Sequence, residues 1–113
     1  MKFRSEIKSN ILILTLEGDL IGEDNGVELV DLINSHINNG VIHCVVNIAE
    51  LRYINSSGIG VLITILTKFR NKGGEICLLS PSENVQKLLI ITKLNNIFNI
   101  LDSEEEAINI LKK

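Results

Sequence analysis

The run VIHCVVNI, Val41 to Ile48, constrains the fold more than any other part of the chain. Only His43 and Asn47 interrupt it, so a strand made from it has almost no face to turn toward water. Strands of this kind lie buried on both faces or nearly so, as in parallel sheets. The fold must therefore supply neighbouring strands and covering layers, and the flanking sequence has to provide them.

Upstream, Lys2 to Ile7 alternates weakly, Ser9-Asn10 reads as a turn and ILILTLEG from Ile11 is β-rich, which predicts an opening hairpin. From Glu23 to Ile37 the apolar positions Val27, Val30, Ile33 and Ile37, with Leu29 and Leu32 beside them, follow helical spacing. Asn38-Asn39-Gly40 stops that helix, with Gly40 suited to a C-terminal cap. Leu51 to Asn55 reads as a connection, and Ser56 or Ser57 opens a second helix that runs to about Asn71 before Gly73-Gly74. EICLLS is the next strand. Ser80-Pro81-Ser82-Glu83 then predicts a helix capped by Ser80 with Pro81 in its first position, running to about Thr92. NIFNIL is a short last strand, and Ser103 with Glu104, Glu105 and Glu106 opens a C-terminal helix to Leu111. The order β-β-α-β-α-β-α-β-α predicts a single α/β domain over residues 1–113. Its mixed sheet has about five strands, largely parallel at the centre, with about four helices packed against it.

The helix after the serines is too apolar for a simple surface helix. Around Leu62, the residues Ile59, Val61, Ile63, Ile65, Leu66 and Phe69 spread over an arc of roughly 200°, where about 100° suffices to meet a core. Neighbouring helices can cover its flanks, a flank with Val61 and Ile65, or with Ile63, can be kept for a protein partner, and both can hold together. Gly58 and Gly60 sit in its first turn, where each glycine costs about 1 kcal/mol relative to Ala. That cost points to a close approach of backbone or partner.

Other chemistry is poorly represented. The net charge is −3 and no Lys/Arg block occurs, which disfavours nucleic-acid binding. Cys44 and Cys77 lie inside apolar runs, read as small buried hydrophobes, and have no second ligand at metal spacing. His36 and His43 stand in no catalytic pattern, and GIGVLI lacks the third glycine and the lysine of a phosphate loop. No catalytic residue, cofactor or metal is expected. Charges recur from Lys2 onward, which argues against a signal peptide, and the nearly uncharged run from Ile54 to Thr67 is too short to span a bilayer. A cytoplasmic protein without membrane insertion is the expectation.

Taken together, GDL after a strand, an amphipathic helix, LRYINSSGIGVL, GGEI and SPSENVQKL at their spacings resemble the STAS family over nearly the whole chain. More closely, they resemble the bacterial anti-sigma-factor antagonists. The resemblance implies a non-enzymatic switch that binds an anti-sigma factor with serine kinase activity and so frees a sigma factor. It also implies phosphorylation of Ser56 by that kinase and reversal by a phosphatase. The partner surface it implies comprises Asp19, Glu23, Asp24, Asn55, Ser56, Ser57, Gly58, Val61 and Ile65. Two positions depart from the family pattern: Asn55 stands where Asp is common before the serine, and Ile21 where an Asp often follows the strand. A STAS subunit of another assembly, such as a lipid-transport ATPase or a stress-signalling scaffold, is the alternative, and a small nucleotide-binding module is a more distant one.

Overall fold

The structure is a computed structural model, and it describes residues 2–21 and 26–112. Strand β1 (Lys2–Lys8) turns back through Ser9 and Asn10 into β2 (Ile11–Leu20). Both turn residues have positive φ, 53° and 60°, the left-handed pair of a tight hairpin turn that matches strand twist. The chain continues through α1 (Gly26–Asn38), β3 (His43–Ile54), α2 (Ser56–Arg70), β4 (Ile76–Leu79) and α3 (Glu83–Ile91). A single 3₁₀ turn over Leu94–Asn96 precedes β5 (Asn99–Leu101) and α4 (Glu104–Leu111). The sheet order is β1-β2-β3-β4-β5, antiparallel for the hairpin and parallel thereafter.

Residue alternation divides the core into two layers. Leu12, Leu14, Cys44, Val46, Ile76 and Leu78 point to one face, where Leu29 and Ile33 of α1, Leu62, Ile65, Leu66 and Phe69 of α2, and Val85 and Leu89 of α3 cover them. Ile11, Ile13, Val45, Cys77 and Leu79 point to the other face, under Ala107 and Leu111 of α4. Of Val41 to Ile48, the part from His43 onward forms the central strand and is covered on both sides, while Val41 and Ile42 lie ahead of the strand. Cys44 and Cys77 are buried free thiols on opposite faces of the sheet.

Four expectations change. The segment Leu51 to Ile54 is not a connection but the end of a long β3, paired with β2 as far as Leu20 opposite Ile54. Two register shifts in β2, between Thr15 and Glu17 and between Gly18 and Asp19, carry that pairing past the apolar run. The α1 face turns on Leu29 and Ile33, leaving Val27 70% exposed. The α3 cap is Ser82, not Ser80: its Oγ accepts from the Val85 N–H at 3.4 Å and donates to the Leu51 carbonyl at 3.1 Å. Ser80 adopts φ +51° and donates to the Asp102 carbonyl instead, which moves Pro81 ahead of the helix. Finally, NIFNIL contributes only Asn99–Leu101 to the sheet, because its first residue closes the 3₁₀ turn.

Phe69→Ala should lose about 3–5 kcal/mol in urea unfolding, because Phe69 is fully buried beneath α2, whereas Val27→Ala should change stability by less than about 0.5 kcal/mol. Burial raises both thiol pKa values, Cys77 to about 11 with the Glu75 charge adding to the effect. The native state therefore holds thiol protons that the unfolded chain gives up from about pH 8.5. This contribution should be intact below that pH and lost as pH rises toward 11, and Cys77→Ala should flatten the alkaline limb of a stability–pH curve.

Candidate functional site

The site forms where β2 and β3 end and α2 begins. Backbone and cap place it. The Asn55 N–H donates to the Leu20 carbonyl at 3.3 Å, tying the start of α2 to the end of β2. Asn55 has extended φ/ψ, and its Oδ1 accepts from the Gly58 N–H at 2.8 Å, the geometry of a helix N-cap. Its backbone carbonyl accepts from the Ile59 N–H at 2.9 Å. The cap is therefore Asn55 rather than Ser56 or Ser57, and both serines are exposed in the first turn.

Gly58 explains how the turn can come so close. A Cβ built on it would collide with the Leu20 carbonyl oxygen and with Ile54 Cγ1. Here glycine answers a packing need against β2, so Gly58 is buried and not a contact surface. Gly60 has open space around its Cα and lines a groove.

The two serines look to opposite sides. Ser56 lines a cavity of about 550 Å³ between the end of β3, the start of α2 and α3, with Ile54, Ile59, Val85 and Leu88 as its apolar lining. Ser57 lines a groove of about 450 Å³ between α1 and α2, with Val27, Val30, Gly60, Val61 and Thr64. The wide apolar arc of α2 is resolved in the same way. Leu62, Ile65, Leu66 and Phe69 meet the sheet, Val61 packs toward Gly26 of α1, and Ile59 looks into the cavity beside α3. Ile63 remains on the outer side at 37% exposure.

The residues expected at a partner surface separate accordingly. Asn55, Ser56, Ser57 and Val61 are at least partly exposed and lie together on the first turns of α2. Ile65 is fully buried against the sheet, which removes it from any surface. Asp19 stands at the end of β2 and pairs with Arg52 of β3 at 3.4 Å. Glu23 and Asp24 lie outside the described residues, while Ile21 beside them is exposed. Sequence reasoning missed Arg52 and Tyr53. Both line the Ser56 cavity, and the signal for them was the strand-like stretch LRYI, read as a connection. Among the described residues, no group of three or more His, Cys, Asp or Glu side chains is placed to hold a metal ion. His43 is occupied, its Nδ1 accepting from the Glu75 N–H at 3.1 Å. No helix among the described residues is long and apolar enough to cross a membrane.

Comparison with known proteins gives the family and the fold. The family model described as "STAS domain" matches residues 2–107. The anti-sigma F factor antagonist of Paenibacillus polymyxa is 25% identical over 112 residues, covering 99% of this chain and 96% of that one. The crystal structure of a proposed anti-sigma factor antagonist from Thermotoga maritima superposes with a TM-score of 0.89 at 26% identity, over 98% of this chain and 95% of that one. In fold, the chain also resembles the anti-sigma factor antagonist SpoIIAA in its unphosphorylated form (TM-score 0.85, 24% identity, 98% and 96% coverage). The phosphorylated form from Bacillus is similar too (TM-score 0.76, 24% identity, 96% and 97% coverage).

The cap assignment is testable by substitution. Asn55→Ala should cost about 1 kcal/mol of thermal or urea stability, whereas Ser56→Ala and Ser57→Ala should each stay within about 0.5 kcal/mol. A serine cap would give the reverse order.

Proposed function

Since this chain belongs to the STAS domain family, we propose that it is an anti-sigma-factor antagonist: it binds an anti-sigma factor with serine kinase activity and frees a sigma factor. Phosphorylation of Ser56 by that kinase turns binding off, and a phosphatase restores it. The protein itself performs no catalysis in this scheme. The observation that carries the reading is the division of labour at the start of α2. Asn55 caps the helix, so the exposed Ser56 hydroxyl is not needed to hold the fold and is available to a kinase.

The physics of the modification is favourable. A phosphate adds about −1.5 to −2 charges. At the first turn of a fifteen-residue helix it meets the positive end of the backbone dipole and unpaired N–H groups, so the helix need not unwind. The same charge opposes an apolar or acidic partner surface through repulsion and desolvation. The partner then meets a changed surface on an unchanged fold. SpoIIAA, with the same fold, has been solved with and without phosphate, which supports a modification of this kind. The partner surface in this reading runs from Asp19 through Asn55, Ser56 and Ser57 to Val61, with Glu23 and Asp24 between them in the sequence.

The test uses the kinase-type anti-sigma factors of the source organism with ATP, followed by mass mapping and calorimetric binding. One of them should bind the protein, transfer a single phosphate to Ser56 and leave Ser57→Ala still modified. Ser56→Glu should weaken binding about tenfold or more, equivalent to about 1.4 kcal/mol. Binding without transfer would point instead to a STAS subunit that docks without a phosphate switch. The absence of both binding and transfer would overturn the assignment.

A further inference from the structure

The cavity beside Ser56 contains one formally charged residue among its described lining, Arg52. Arg52 reaches it from the end of β3, four positions before Ser56 in the sequence, and its side chain is 77% exposed. Its present partner is Asp19 of β2, at 3.4 Å from Nη2 to Oδ2. That is long for a charge-assisted hydrogen bond, which normally closes to about 2.7–2.9 Å. Asp19 itself is 37% exposed, so solvent competes for both groups. The cation is therefore held loosely, on a long side chain, and its residue lines the same cavity as Ser56.

We propose that Arg52 is the residue that responds to phosphorylation: its guanidinium leaves Asp19 and pairs with the phosphate on Ser56. The inference rests on the phosphorylation of Ser56 proposed above. The exchange is favoured because a phosphate carries up to twice the charge of a carboxylate and accepts two parallel N–H bonds from the guanidinium fork. Its consequence reaches beyond Ser56. Asp19, released from its cation, becomes an uncompensated carboxylate at the end of β2. One modification then alters the partner surface at two places, adding a partly neutralised phosphate on α2 and a freed acid on β2.

The test is a ³¹P NMR pH titration of full-length protein carrying phosphoserine installed at position 56 during translation. The second phosphate pKa, about 6 when exposed, should be lowered by about half a unit in the parent chain. R52Q should raise it back toward the exposed value, leaving only the lowering that the helix N-terminus supplies, and R52K, which keeps the charge and loses the fork, should fall between the R52Q and parent values. D19N should lower it further in the parent background, where it releases Arg52, and much less in the R52Q background. Equal midpoints in the parent and R52Q proteins, with amide spectra confirming that both are folded, would overturn the proposal. The phosphate is supplied, so the result is independent of any kinase. Failure of transfer to Ser56 would count against the function, and a flat R52Q comparison against Arg52 alone.

Discussion

The start of α2 is held against the end of β2 by one backbone hydrogen bond and one missing side chain, and the rest of the site follows from that. The Leu20 carbonyl accepts the Asn55 N–H, and Gly58 leaves room for the same carbonyl to sit against the helix. With Asn55 committed to the Gly58 N–H, the next two side chains must point away from the sheet, one to each side of the turn. The positions of Ser56 and Ser57 are thus set by backbone packing, not by contacts of their own. A site built this way can change the chemistry of a hydroxyl without disturbing what positions it.

The sheet explains why such a turn can be rigid. Strands β2 and β3 stay paired to Leu20 and Ile54, so the two chain ends that meet at the site are fixed to one another. Behind them, Leu62, Ile65, Leu66 and Phe69 anchor α2 to the larger core layer. The flanks of α2 are occupied by α1 at Gly26 and by the cavity wall shared with α3. An apolar arc twice as wide as a surface helix needs is accounted for by one sheet and two neighbours. That leaves Ile63 as the one strongly apolar side chain among the described residues of α2 above a third exposed.

The architecture was legible because period and punctuation agreed: a run with no polar face, helices at 3.6 spacing, and turn residues between them. The opening hairpin, the alternation and the Ser103 cap follow from local chemistry alone. What could not be read was settled by tertiary contacts. Leu51 to Ile54 looks like a loop because Arg52 and Tyr53 are exposed, and only pairing with β2 across two bulges makes it strand. Ser80 and Ser82 are equally good caps in sequence. The Leu51 carbonyl, 31 positions away, accepts from Ser82, and the Asp102 carbonyl takes Ser80. At the site itself, the serine pair drew attention away from Asn55, although Asn is as good a cap as Ser. The Ser56 cavity needed three separate segments to come together, and no spacing within one segment encodes that.

Asn55 acquires a second meaning from this geometry. An Asp at position 55 could cap the helix as well, but it would bring a full negative charge next to Ser56. Asn keeps the cap, as its bond to the Gly58 N–H shows, and removes that charge. A phosphate on Ser56 would then face no acidic neighbour at the preceding position, with Arg52 lining the same cavity. Repulsion between adjacent anions raises the energy of the modified state, and removing one of them lowers it. On electrostatic grounds alone, this chain is a better host for the phosphate than a version with Asp at position 55.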